Sequence, residues 1–414
     1  MRPKVFKVQA LHDPSTEERE LIQALGPFAI TPGVHLLIDA DNEKIIEHAL
    51  LYLNAKHGRD GIAKQDGGEP SLRSSKASAY ELAEWLGFLA RLGRSWDDAD
   101  HEIISLYAHT RASRLSHHTG RNRESSTIAH KLSTVYGFYG WYNSMKVTDV
   151  RWDETIVRAS YRSAQGGREA CDREIRPFAP KELQRLLQLL GPLPSELKGT
   201  STRPTRDRLV FETGLLTGMR GEEIAHLTVD MIKRLMADPK EPDATQPLEI
   251  TITKRRRKRY VAMPNSLIIE LRRYIRTERQ RAVDAMGGPD HGRLFVSLPG
   301  ASNTGTPMTT STIHRRTHAL MVRAGLAEQR SKSIKGESVP YMHTLHSFHD
   351  TRHTYAVNLY ILQKRAGDTQ PWKTVQVMLG HKDWATTEEY YLQSVGVFEP
   401  AIGFRLSRYW EDAK

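Results

Sequence analysis

Two stretches near the C-terminus leave little freedom in how the chain can fold: HDTRHTYA at 349–356 and LGHKDWATTEEYY at 379–391. His349 and Arg352 are three residues apart, so a helix places both on one face. Tyr355, Ala356, Leu359 and Tyr360 are the core-facing positions of its following turns. Val375, Met378 and Leu379 close a second helix, and Gly380 is its C-terminal stop. His381 follows in the turn. Thr386 with Glu389 has the capping-box pattern, so a third helix starts there and carries Tyr390 and Tyr391 in its first turns.

The same punctuation recurs upstream. Leu209 to Leu216 form an apolar helical run, and Glu222 and Glu223 lead a short second helix. Between them Arg220 sits in GMRGEE, with a glycine on each side to permit a tight turn. LEITITKRRRKRYVAMP (248–264) predicts one strand pair, because Glu249, Thr251 and Thr253 alternate with Ile250 and Ile252. The predicted class is mainly α with a small β-sheet, α+β.

The first half reads as helical. Ile45, Ile46, Ala49, Leu50 and Leu53 have helical spacing, and a Gly- and Ser-rich linker follows them. ASAYELAEWLGFLARLG predicts an amphipathic helix with Tyr80, Leu82, Leu86 and Leu89 inward and Gly93 as its stop. SSTIAHKLSTVYGFYGWYNSMK predicts the clearest helix, with Ile128, Leu132, Val135, Tyr139 and Tyr142 on one face. A shared face favours core packing over base stacking for these aromatics. Gly166 and Gly167 mark a hinge.

Composition narrows the function. A length of 414 residues and an apolar fraction of 39% fit a globular protein of two or three domains. Lys and Arg number 60 against 49 Asp and Glu, a formal net charge of +11, and KRRRKR at 254–259 places six cations in a row. That clustering points to a phosphate-bearing partner. One cysteine, Cys171, excludes an internal disulfide and a Cys-rich zinc site. No apolar run is long enough to span a bilayer, and MRPKVFKVQALHDP lacks the apolar core of a signal peptide. The expectation is a bacterial cytoplasmic, nucleoid-associated protein with no membrane partner.

Arginine suits phosphate because its planar fork donates two parallel hydrogen bonds and stays charged. Lys254, at the predicted strand end, can give up a proton where neighbouring cations or burial lower its pKa. That makes it a candidate acid toward a leaving 5′ oxygen. Arg255, Arg256, Arg257, Lys258 and Arg259 read as backbone-phosphate contacts. A tyrosine hydroxyl, with its ordinary pKa of ~10, becomes a useful nucleophile when cationic donors surround the phosphate it attacks. His353 would point away from Arg352 and ranks below His349.

In order these features read Arg, Lys, His-x-x-Arg, Gly-His, Tyr. The matching text is TGLLTGMRGEEIAHL, ITKRRRKRYVAMP, HDTRHTYA and LGHKDWATTEEYY. The chain here resembles the tyrosine recombinase (phage integrase) family, well over 170–395 and more weakly over STIAHKLSTVYGFYGWY.

The resemblance implies three parts. Residues 1–75 form an N-terminal extension, an arm or accessory DNA- or protein-binding segment. Residues 76–165 form a helical, SAM-like core-binding domain. Residues 170–414 form the catalytic domain with its tail. The resemblance also implies that Arg220 and Arg352 clamp the scissile phosphate, His349 acts as general acid/base, and His381 hydrogen-bonds the phosphate. Lys254 would protonate the leaving 5′-OH, with Lys258 as the other lysine in register. Tyr390 matches the nucleophile better than Tyr391. The family pattern usually has glycines before the basic residues, and KRRRKR has none.

The implied reaction forms a 3′-phosphotyrosyl link on double-stranded DNA and needs neither metal nor ATP. The implied assembly is a tetramer on two DNA sites, with accessory proteins as further partners. The tail VGVFEPAIGFRLSRYWEDAK either packs on its own domain or docks on a neighbouring protomer. Type IB topoisomerase-like relaxation and a catalytically idle DNA-binding regulator remain as alternatives. A metal-dependent nuclease is disfavoured, since His117 and His118 lack carboxylates at ligand spacing.

Overall fold

A computed structural model describes residues 1–8, 30–58, 72–113, 125–164, 176–199, 201, 203–250, 258–298, 300–334 and 337–380. It is rich in helix, with three small two-stranded sheets among the described residues. This is the mainly helical α+β class expected. The chain divides into two compact units, one of Met1–Asp172, Lys254–Arg256 and Ser331–Val339 and the other of Arg173–Thr253, Arg257–Arg330 and Pro340–Lys414.

In the first unit β1 (Pro3–Lys7) pairs antiparallel with β2 (His35–Asp39), with Val5 opposite Leu37. Five helices follow: α1 (Glu47–His57), α2 (Leu72–Arg91), α3 (His101–Ser113), α4 (Ser125–Ser144) and α5 (Glu154–Ala164). Val34, Leu37 and Leu53 share a single core with Leu82, Trp85, Tyr107 and Tyr139. Ile128, Leu132, Val135, Tyr139 and Tyr142 of α4 are all buried in it. Two of its aromatics pair at their polar tips. Trp85 Nε1 donates to Tyr139 Oη at 3.0 Å, and that hydroxyl donates to the Trp96 carbonyl at 2.7 Å.

Tyr80 departs from expectation. It is exposed, while Leu82, Leu86 and Leu89 are buried. Two residues correspond to about 200° around a helix, so Tyr80 lies opposite the stripe begun by Leu82. Ala79 and Trp85 take the inward positions. Ile45 is likewise exposed, because α1 begins only at Glu47.

The second unit opens with α6 (Pro180–Leu190), α7 (Arg206–Thr217), α8 (Gly221–Ala225) and α9 (Val229–Lys233). Strands β3 (Thr245–Ile250) and β4 (Arg259–Pro264) pair antiparallel, with Ile250 opposite Arg259. Leu248, Ile250, Val261 and Met263 point into the core. This is the expected strand pair; residues 251–257 lie outside the described residues. Next come α10 (Asn265–Tyr274), a π-helical turn (Ile275–Arg279), α11 (Gln280–Met286) and α12 (Thr310–Arg323). A ribbon of β5 (Ala327–Ile334) and β6 (Glu337–Thr344) precedes α13 (His349–Arg365) and α14 (Pro371–Leu379). Among the described residues no helix is long and apolar enough to cross a membrane.

Helices α7 and α13 carry the motif residues and approach each other closely. A Cβ added at Gly214 would lie 2.6 Å from Thr351 Oγ1 and 2.9 Å from the Phe348 ring. We therefore expect Gly214→Ala to push the two helices apart and destabilise the protein by about 1–3 kcal/mol, the usual range for overpacking. Chemical denaturation of both proteins checks this, and an unchanged midpoint would refute the close approach.

Candidate active site

The site is built around a turn. Helix α7 ends at Gly218, whose φ of +63° is left-handed and whose N–H donates to the Gly214 carbonyl at 3.0 Å. A side chain is excluded there for a second reason, since a Cβ would meet the Tyr355 ring at 2.5 Å. Arg220 then leads α8 with extended backbone. Its N–H donates to Glu223 Oε2 at 2.8 Å, half of a capping box. The guanidinium remains 41% exposed, with Nη1 3.4 Å from Glu223 Oε1.

Arg352 behaves in the opposite way. It is 1% exposed, and it donates from Nη1 to the Gly218 carbonyl at 2.6 Å and from Nη2 to the Leu379 carbonyl at 2.5 Å. One side chain thus joins the turn before Arg220 to the last turn of α14. Gly380, φ +65°, ends that helix as expected.

His349 is the first residue of α13, and its ring stands perpendicular to His353 at 4.8 Å. The residue is exposed. The protein packed around the ring, then His353, Arg352 and Arg220, push its imidazole down to about 4 against the pull of Asp350. His349 is therefore neutral at pH 7. Arg220 and Arg352 both act on its ring.

The basic hairpin divides. Lys258 is 68% exposed and pairs with Glu249 at 3.0 Å. Glu249 holds that ammonium protonated, which suits it poorly as a proton donor to a leaving group. Arg259, expected to face DNA phosphates with its neighbours, is instead turned inward. It pairs with Glu223 at 2.6 Å and is 9% exposed, because β4 alternates and Arg259 lies on the inward side. Lys254, Arg255, Arg256, Arg257, His381, Tyr390 and Tyr391 lie outside the described residues.

Residues 177–395 match the phage integrase family. The chain belongs to that family. It is a tyrosine-type site-specific recombinase. The matched span contains every motif residue from Arg220 to Tyr390. Among solved structures, this integrase is similar to the Tn1549 transposon integrase in complex with a circular intermediate DNA. The identity is 16%, over 83% of this chain and 94% of that one, with a TM-score of 0.50. It is also similar to a lambda integrase dimer bound to a core site, at 13% identity over 78% and 89% and a TM-score of 0.45. XerA recombinase is 19% identical over 79% and 92%, with a TM-score of 0.35. At 16% identity and a TM-score of 0.50, the likeness to the Tn1549 integrase speaks for the fold alone. No curated protein matches the chain.

One residue of this integrase was not singled out by its sequence. His346 is buried, its ring 4.4 Å from that of Phe178. Its two nitrogens lie 3.5 Å from Glu182 and 3.5 Å from Asp350. Asp350 also accepts from the Ser347 N–H at 2.7 Å, just before α13. Burial lowers the imidazole pKa, but hydrogen bonds and charge from Asp350 and Glu182 outweigh it and raise the group to about 9. An i, i+4 His–Asp pair across a helix start is the only sequence signal.

A pKa raised on folding stabilises most fully below the unfolded value of ~6.5 and loses its contribution as pH climbs through the folded value. We expect His346→Ala to lower stability most near pH 6, with the gap from wild type shrinking as pH rises from about 6.5 and levelling off by about 9. Unfolding curves across that range test this, and a gap independent of pH would refute it.

Proposed function

We propose that this recombinase cuts and rejoins double-stranded DNA through a 3′-phosphotyrosyl intermediate on Tyr390, without a metal ion or ATP. One observation carries the reading: a half-exposed Arg220 follows the turn at Gly218, a buried Arg352 donates to that turn's carbonyl, and His349, three residues before Arg352 on the same helix, feels the charge of both. Phosphate needs donors at several oxygens, and cleavage needs a base that is unprotonated at working pH.

In this reading Arg220 offers its solvent-facing fork to the scissile phosphate, and Arg352 supplies fixed positive charge beneath it. His349 takes the tyrosine proton as the Tyr390 oxygen attacks phosphorus. The bond from phosphorus to the 5′ oxygen breaks, and Lys254 gives that oxygen a proton. His381 hydrogen-bonds the phosphate. A 5′-OH from a partner strand reverses the steps, so one phosphoester replaces another and no external energy source is required. Arg255, Arg256, Arg257 and Lys258 hold the DNA backbone.

The proposed working assembly is a tetramer on two DNA sites. Residues 76–165 serve as the core-binding domain, 170–414 as the catalytic domain, and 1–75 as an extension. Accessory proteins are further partners.

A nicked suicide DNA duplex in EDTA tests the chemistry. Wild type should form a denaturant-resistant adduct, Tyr390→Phe none, and Tyr391→Phe a normal amount. Arg220→Ala should bind DNA yet cleave about 10²–10³-fold more slowly, the usual loss for one preorganised donor. An adduct from Tyr390→Phe, or an absolute need for added Mg²⁺, would sink the proposal.

Binding should weaken steeply with salt, log affinity falling against log salt with a slope of roughly −0.9 per phosphate contacted. Removing Lys258 should make that slope shallower by about one contact. Titrations at several salt concentrations measure it, and an unchanged slope would free Lys258 of the role.

A further inference from the structure

Arg259 is the last of six consecutive cations and the first residue of β4, yet it does not behave as a surface cation. All three of its nitrogens are engaged. Nη2 donates to Glu223 Oε2 at 2.6 Å, and Nε lies 3.3 Å from Glu223 Oε1. Nη1 donates to the Met378 carbonyl at 2.7 Å. That carbonyl belongs to the last turn of α14, where backbone acceptors have no partner within the helix and carry the negative end of its dipole. Arg352 takes the adjoining carbonyl, Leu379. Two guanidiniums from different elements thus grip consecutive carbonyls just before Gly380 and His381.

The other end of Arg259 reaches the Arg220 turn. Glu223 is 3% exposed, and its carboxylate accepts both from Arg259 and from the Arg220 N–H. Burial pushes that carboxylate up, but the hydrogen bond and charge of Arg259, with the N–H and charge of Arg220, hold it below its ordinary value. Glu223 is therefore an anion shared by the two arginines. The fit around Arg259 is close: a Cβ added at Gly380 would lie 3.1 Å from Arg259 Cδ.

We propose that Arg259 is a positioning residue for strand cleavage. Through Glu223 and the Met378 carbonyl it fixes the distance between the Arg220 turn and the chain that leads to His381 and Tyr390. This rests on the reading that Tyr390 is the nucleophile. Lysine cannot replace Arg259, because a single ammonium on a flexible stem lacks the planar fork that serves a carboxylate on one side and a carbonyl on the other. A displacement of about 1 Å in a reacting group can slow a reaction about 100-fold without weakening binding.

The test uses the full chain on suicide DNA at saturating concentration, with adduct rate and DNA affinity measured separately. Arg259→Lys and Arg259→Gln should bind DNA within about threefold of wild type and form adduct about 10–100-fold more slowly. Glu223→Gln should slow the adduct as well, and the double variant Glu223→Gln/Arg259→Gln should be no slower than the worse single one. Arg259→Lys keeps the charge and most of the volume, so it stays informative if Arg259→Gln fails to fold. An Arg259→Lys adduct rate equal to wild type overturns the proposal. So does a loss of affinity that accounts for the whole loss of adduct, which would make Arg259 a DNA contact instead. If the wild-type chain forms no adduct, or Tyr390→Phe forms one, the underlying assignment of Tyr390 fails.

Discussion

Burying a guanidinium is unfavourable unless each donor is met, and Arg352 is buried with its two Nη atoms on the carbonyls of Gly218 and Leu379. The local architecture follows from that demand. The Gly218 carbonyl is presented to Arg352 because α7 ends in a left-handed residue there. The Leu379 carbonyl is available because α14 stops at Gly380. Both glycines would be strained by a side chain, one against Tyr355 and the other against Arg259. A helix end that is ordinarily capped by water is capped here by charge.

This arrangement separates two tasks that arginine can perform. Arg352 spends its hydrogen bonds on the protein and contributes a fixed positive field. Arg220, with its backbone tied to Glu223 and its guanidinium half-exposed, keeps donors for a ligand. His349 sits in the field of both and is held neutral. A base beside two cations stays unprotonated until an anion arrives, and a bound phosphate would then draw a proton toward it. The electrostatics are thus preorganised for a negatively charged reacting centre.

Much of the fold was legible because its signals are local. Gly380 announces a helix stop, Glu249 and Ile250 announce alternation, and the stripe of Ile128, Leu132, Val135, Tyr139 and Tyr142 announces a buried helix face. Three features were not legible, each for a physical reason. The β5–β6 ribbon has no apolar side to read, since β6 is exposed or half-buried along its whole length. The residue type of Tyr80 suggests an inward position, whereas its angle around α2 decides its exposure. Arg259 is indistinguishable in sequence from the cations before it. Only the pairing of Arg259 with Ile250 and the buried Glu223 show that it faces inward. A run of like charges conceals any member that has a private counter-ion.

His346 extends the same logic to the start of the second unit. The chain there is held against α13 at several points: Phe178 N–H on Thr354 Oγ1 at 2.9 Å, the Phe178 ring on His346, and His346 Nδ1 3.2 Å from the Arg176 carbonyl. Asp350 and Glu182 supply two negative charges to one imidazolium. Asp350 also accepts from the Ser347 N–H, so the charge that holds this leading segment also ties the chain entering the helix that bears His349 and Arg352 to its first turn. The motif helix is therefore constrained from both sides, by an imidazolium between carboxylates at its start and by a guanidinium between carbonyls one turn later. A shift of the leading segment would be felt first at His349, the member of the group that has no fork to hold it in place.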